Sequence, residues 1–334
     1  MPHAVFDRVR VIATELARKL AAIDDQARSQ HDSEAQFRLL TAALDDCLAA
    51  LVELNIWGPE NRILSSEIWT IAGDWLTRGW LQNHARAKPR GYAGDHEMLA
   101  RVYENWCSSD PLGQLFDRYF QAQAAPQAVR NRMRMMTEWI GKALRERSAT
   151  RVAVVGSAFG LEVRDALLAA PVASRQSVCI TLVDLDPAAL EFARKQLEPV
   201  VSPAELVLES ANLFRLPDRA GLAAKLAGSD LLFCPGLFDY LDDDAAIAMI
   251  RCLFTQLAPG GQLIIFQFAP HNPTRAYMEW LGNWYLTYRD QQAFQRLFDS
   301  AVLQDASIEF SAEPLAIDLY AKVTRNKSTS PRAV

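Results

Sequence analysis

The segment that most limits the fold is Arg151-Val-Ala-Val-Val-Gly156-Ser-Ala-Phe-Gly160-Leu-Glu162, followed by Leu182-Val-Asp184-Leu-Asp186-Pro187. A β-branched run ends in a turn bounded by two glycines. A helix-compatible stretch follows, and a second apolar run ends in an acid. This is the layout of a βαβ unit whose turn lets the backbone approach a ligand while the acid reaches a sugar. Further short β-branched runs at 178–183, 205–209, 230–234 and 261–268 alternate with helical stretches. Such alternation predicts a parallel sheet covered on both faces. Runs at 306–311 and 316–323 are joined through Glu313-Pro314 with no helix between them, which predicts an antiparallel hairpin at one edge.

Residues before 149 read differently. Val5, Val9, Ile12, Leu16, Leu20 and Ile23 recur at steps of three or four, as do Phe37, Leu40, Leu44, Leu48 and Leu51. These are faces of amphipathic helices. Asp95 and Asp110-Pro111 sit where helix caps are expected. The spacing therefore predicts an all-helical domain over 1–148, an α/β domain over 149–325, and a polar, disordered tail over 326–334.

Composition excludes several functions. A net charge of -5 argues against a protein that grips nucleic acid. No window approaches twenty apolar residues, so no membrane span is expected. The start lacks the basic and apolar regions of a secretion signal. Five scattered cysteines without CxxC spacing fit reduced thiols in the cytoplasm and predict no metal site.

The first turn lacks both the third spaced glycine of a dinucleotide loop and the Lys-Ser/Thr of a phosphate loop. A nucleoside without phosphates fits it, and S-adenosyl-L-methionine is the expected cofactor. Gly156, Ser157, Ala158 and Gly160 would meet its methionine end, with the next helix pointing N–H groups at the carboxylate. Asp184 would accept from the ribose hydroxyls, with Leu185 beside it, while Asp186 caps the helix that follows. Ala211 and Asn212 end the third strand where the adenine edge would lie; Asn212 is otherwise a turn residue. Pro235 and Gly236 end the fourth strand, with Asp239 and Tyr240 beside the reacting group. Asp242, Asp243 and Asp244 read as acids at a helix start rather than a metal cluster. Trp280, Trp284 and Tyr288, four apart, predict one aromatic face of a helix ending at Arg289.

Three blocks carry more than a generic match: Lys88-Pro-Arg-Gly-Tyr-Ala-Gly-Asp-His-Glu-Met98, Gly236-Leu-Phe-Asp-Tyr-Leu241, and Met278-Glu-Trp-Leu-Gly-Asn-Trp-Tyr-Leu-Thr-Tyr-Arg-Asp290. Over about 85–323 the chain resembles bacterial class I methyltransferases known as extracellular-factor or 3-hydroxypalmitic acid methyl ester synthases. The resemblance implies a Rossmann-like fold and methyl transfer to the carboxyl of a 3-hydroxy fatty acid, giving a quorum-sensing ester. The chain departs from the family at Gly156-Ser-Ala158-Phe159-Gly160, where Gly-Cys-Gly-Pro-Gly is the expected run. Phe159 there is expected to reshape the pocket.

An ionised carboxylate needs no general base, so positioning should dominate. Arg90, Tyr92, His271, Tyr288 and Arg289 are the candidates to position it, together with Asp239 and Tyr240. His271 would serve as base for a hydroxyl or amine acceptor. Arg130, Arg132, Arg134, Lys142, Arg145 and Arg147 form a basic run. It reads as a solvated helix face, or as a dock for acyl carrier protein or anionic lipid. Two alternatives stay open: an O- or N-methyltransferase for another metabolite, and a non-catalytic sensor of the cofactor.

Overall fold

The computed structural model describes residues 3–29, 33–146, 150–175 and 177–327. The chain forms two compact units, Met1–Gln127 with Asn272–Leu286, and Ala128–His271 with Thr287–Val334.

The second unit is built on seven strands: β1 Thr150–Val155, β2 Val178–Asp184, β3 Leu206–Ser210, β4 Ser229–Cys234, β5 Leu257–Phe268, β6 Ala306–Ala312 and β7 Asp318–Arg325. Their spatial order is β3-β2-β1-β4-β5-β7-β6. β1 to β5 run parallel, and β7 is antiparallel to both β5 and β6. The connection 313–317 is too short for a crossover, so β6 and β7 must close as a hairpin. β7 is the strand that enters the sheet, which leaves β6 as the edge.

Side chains alternate across this sheet. Val152, Val154, Ile180, Leu182, Phe233 and Phe266 pack on one face with α8 (Leu161–Ala169) and α9 (Pro187–Leu197). Ala153, Val155, Leu232, Cys234 and Ile265 pack on the other with α11 (Asp243–Thr255) and α12 (Gln291–Ala301). Both faces are dry, which is why these strands read as unbroken apolar runs. A short α10 (Ala220–Ala223) precedes β4.

The expected boundary at 148 is corrected. Helix α7 (Ala124–Glu146) crosses the division, and its Met136, Ile140, Ala143 and Leu144 belong to the sheet's core. An amphipathic helix goes with whichever surface buries its apolar face. Residues 272–286, expected within the α/β domain, belong to the helical unit instead. There Ser65 Oγ donates to Trp280 O (2.7 Å) and Gly58 N–H to a Glu279 oxygen (2.6 Å).

The helical unit holds α1 His3–Ser29, α2 Ser33–Val52, α3 Arg62–Leu76, α4 Trp80–Ala87, α5 His96–Tyr103 and α6 Pro111–Ala122. Val9, Leu16, Leu20 and Ile23 of α1 are buried, as are Leu40, Leu44, Leu48 and Leu51 of α2. Asp95 and Asp110 cap α5 and α6, accepting from Met98 N–H (3.1 Å) and Gly113 N–H (2.7 Å). The aromatic helix expected to reach Arg289 does not form. A single π-helical turn, Tyr277–Leu281, ends at Gly282, and Asn283 adopts φ +48°. Residues 283–290 have no regular structure, so the four-residue spacing does not make a face. No helix among the described residues is long and apolar enough to cross a membrane. Within the expected tail, Asn326 N–H donates to Asp305 O (2.7 Å), and 328–334 lie outside the described residues.

Candidate active site

The carboxyl edge of the sheet gathers the loops after β1, β2, β3 and β4. The β1 loop needs glycine: Gly156 has φ +74° and Gly160 φ +63°, where a Cβ is strained. A Cβ on Gly160 would also lie 3.2 Å from Leu182 Cδ1, whereas one on Gly156 would find only Leu213 at 3.6 Å. Ala158 occupies the left-handed region at φ +48° despite its methyl group. Phe159 is buried, so its ring fills core. The expected reshaping of a pocket by that side chain gives way to packing beneath the loop.

Asp184 stands at the centre of this edge. One carboxylate oxygen accepts from Ala158 N–H (2.8 Å) and the other from Asp186 N–H (2.9 Å). Its carbonyl accepts from Ala211 N–H (2.8 Å). One buried residue thus ties three loops together. Asp186 caps α9 by accepting from Ala188 N–H (2.9 Å). Asn212 is exposed and caps the short 213–218 turn, accepting from Phe214 N–H (3.1 Å). Leu185, next to the acid in sequence, and Phe214, three residues past Ala211, are 47% and 52% exposed, large apolar groups left in water. Ser157 is 3% exposed, and its Oγ has no hydrogen-bond partner among the described residues.

After β4 come Pro235 and Gly236, where an added Cβ would meet nothing within 4 Å. Phe238–Tyr240 then form a 3-10 turn. Asp239 is buried; Oδ1 accepts from Phe268 N–H (2.8 Å) and Gln267 Nε2 (3.0 Å). Burial pushes its carboxyl up to about 6, against the pull of the Phe268 N–H and of Arg132 and Arg289. Tyr240 is 40% exposed and Tyr288 half-buried.

Arg289 is corrected from a substrate clamp to an internal brace. Nε and Nη2 meet Asp243 Oδ1 (2.9 and 2.8 Å), Nη1 donates to Phe238 O (3.1 Å) and Gln267 Oε1 (2.7 Å), and Nη2 to Leu241 O (2.7 Å). All five N–H donors are engaged inside the protein, leaving none for a substrate. This pairing also gives Asp243 a role, while Asp242 caps α11 through Ala245 N–H (2.8 Å). His271 is exposed and pairs with Ala316 O at 2.9 Å.

In the helical unit, Arg90 Nη2 donates to Glu97 (2.7 Å). Tyr92, on the same 88–98 block, is half-buried. A Cβ on Gly94 would come within 2.7 Å of Trp284 Cζ2, so the blocks 88–98 and 278–290 touch there. Arg132 is corrected too: it is 7% exposed and pairs with buried Asp318 (2.9 Å), so it is not part of a basic surface. Arg147 lies outside the described residues.

Sequence reasoning missed Glu162, Arg132 and Asp318. Glu162 is buried, and desolvation raises its carboxyl to about 7. Asp318 is fully buried and raised to about 8, burial outweighing Arg132, with Asp239 and Glu313 adding repulsion. An acid between Ile317 and Leu319, in a run otherwise read as strand core, was the available signal for Asp318.

No known protein-family profile matches the sequence, and no curated protein does. Solved structures do resemble it. A protein from Bordetella parapertussis, described as a possible exported protein, superimposes with TM-score 0.58 at 18% identity, covering 94% of this chain and 97% of that one. The CurJ carbon methyltransferase matches with TM-score 0.50 at 12% identity, covering 97% and 93%. The fold is that of the class I methyltransferases. At these identities the likeness concerns architecture, and the chemistry rests on the residues at the carboxyl edge.

Proposed function

We propose that this chain is an S-adenosyl-L-methionine-dependent methyltransferase acting on the carboxylate of a 3-hydroxy fatty acid, producing a methyl ester signal. The observation that carries the cofactor is Asp184, a buried acid at the tip of β2 tied to the β1 loop through Ala158 N–H, with exposed Leu185 next to it. The partnerless Ser157 hydroxyl, in a loop whose glycines admit close backbone approach, fits the same ligand. In this reading Gly156, Ser157, Ala158 and Gly160 hold the methionine end. Asp184 takes the ribose hydroxyls, while Leu185, Ala211 and Asn212 flank the base. Pro235 and Gly236 border the reacting end.

Bound there, the cofactor supplies an activated sulfonium methyl group. A carboxylate acceptor is ionised at neutral pH, so the protein's work is alignment and exclusion of water, worth up to about 7–11 kcal/mol in favourable cases. Desolvating the acceptor costs several kcal/mol unless donors meet it. With Arg289 engaged elsewhere, Arg90 and Tyr92 are the proposed donors, and Tyr240, Tyr288 and His271 the proposed positioning groups. Asp239 positions the post-β4 loop through its bonds to β5. The carboxyl acceptor rests on the three blocks that resemble ester synthases.

Incubation with methyl-labelled cofactor and a panel of 3-hydroxy acids tests the reading. Labelled methyl ester is expected, at a rate nearly flat from about pH 6 to 9 with cofactor saturating, because the acceptor is already charged. Cofactor binding without any ester would favour a sensor, and a steep loss below pH 7 a hydroxyl or amine acceptor. An acyl carrier protein is the proposed partner if the acyl group arrives carrier-bound, through Arg130, Arg134, Lys142 and Arg145. Charge reversal of Arg134 and Lys142 would then weaken the complex at low salt; unchanged binding would remove the idea.

A further inference from the structure

Arg132 and Glu162 are opposite charges buried close together that do not pair. Arg132 comes from α7, ahead of β1, and Glu162 from the first turn of α8, just past Gly160. Thr137 of α7 donates from Oγ1 to Glu162 O (3.2 Å), bringing the two elements together, and Glu162 feels the Arg132 charge, yet no ion pair joins the two within 4.0 Å. Arg132 makes one hydrogen bond among the described residues, from Nη1 to Asp318 Oδ2 (2.9 Å), and its guanidinium sits 5.7 Å from the Phe266 ring centroid. Nε and Nη2 are left over. The Glu162 carboxylate has its own amide as its hydrogen-bonding partner and feels Asp165 as a like charge.

Burying either group with unused hydrogen-bonding capacity costs several kcal/mol. A core that merely needed filling would be better served by apolar side chains of that volume. The cost is offset where a ligand brings complementary charges. A guanidinium and a carboxylate held apart, the carboxylate two residues past Gly160 of the loop that carries the orphaned Ser157 hydroxyl, are the complement of one α-amino acid zwitterion.

We infer that Arg132 receives the α-carboxylate, and Glu162 the α-ammonium, of the cofactor's amino-acid end, with Asp318 holding Arg132 in place from behind. This rests on the cofactor reading above and extends it to two residues outside the glycine loop. The fully buried Asp318, whose Oδ1 has no partner, is then a positioning residue. It fixes a long side chain that would otherwise sample many rotamers.

Calorimetric binding of three probes tests the assignment: S-adenosylhomocysteine, decarboxylated S-adenosylmethionine and 5′-methylthioadenosine. The first keeps both charged groups, the second only the ammonium, the third neither. Variants are Glu162→Gln, and Arg132→Met combined with Asp318→Leu so that no charge is stranded; melting curves confirm folding. The double variant should weaken S-adenosylhomocysteine about 10- to 100-fold and leave the other two within about threefold. Glu162→Gln should weaken both ammonium-bearing probes and spare 5′-methylthioadenosine. Equal losses across all three probes, or no loss for any, would overturn the inference. Absence of S-adenosylhomocysteine binding to the unaltered protein would instead overturn the cofactor reading.

Discussion

The loops after β1 and β4 stand at the same edge of one sheet, yet they are built on opposite terms. The β4 loop is braced: Arg289 donates to the Phe238 and Leu241 carbonyls, and Asp239 fastens the loop to β5 by accepting from Phe268 N–H. The β1 loop keeps three left-handed residues and a buried hydroxyl without a partner among the described residues, over a buried acid. A wall that must not move is cross-linked by its own side chains. A surface that receives a ligand leaves valences open and accepts some strain.

Breaking the brace should have the largest effect. Arg289→Met strands two carbonyls and Gln267, while Asp243 returns to water, and should destabilise the protein by about 2–4 kcal/mol in urea unfolding. A loss below about 1 kcal/mol would deny that the β4 loop is held this way. In the β1 loop, Gly160→Ala should cost about 2 kcal/mol, from positive φ together with the approach to Leu182. Gly156→Ala carries the strain without the crowding and should cost about 1 kcal/mol. Equal costs at the two glycines would show that crowding adds nothing.

The buried acids give a pH dependence whose sign can be worked out. Glu162 and Asp318 titrate at about 7 and about 8 in the folded chain. The unfolded chain releases the same protons near pH 4. The folded state therefore binds more protons between these limits, and stability falls as pH rises through them. The melting midpoint should be several degrees lower at pH 8.5 than at pH 6, since each acid loses about 1.4 kcal/mol per pH unit up to its folded value. Asp318→Asn should flatten that slope, and a midpoint that rises with pH would contradict the account. Smallest of all is Ser157→Ala: removing a hydroxyl that makes no bond should change stability by less than about 0.5 kcal/mol. Under the cofactor reading it would still weaken S-adenosylhomocysteine binding.

Much of this edge was legible from local pattern. Gly156, Gly160 and Asp184 stand out because a strand, a tight turn and a second strand each leave a signature within a few residues. The caps at Asp95, Asp110 and Asp186 were readable for the same reason. Arg289 was misread because its four acceptors come from 238 to 267, far along the chain. The spacing of Trp280, Trp284 and Tyr288 misled because a π-turn and a left-handed Asn283 end the helix where periodicity alone would continue it.

The order of strand and helix, the alternation that buries both faces of the sheet, and the glycine turn followed by an acid were written in the chain itself, because each depends on neighbours in sequence. Which charges are buried, and with whom, was not. Arg132 reads as one more cation in a basic run until folding brings Asp318, Glu162 and Asp239 around it. Charge burial depends on distances between residues far apart in sequence, and only the tertiary structure sets those.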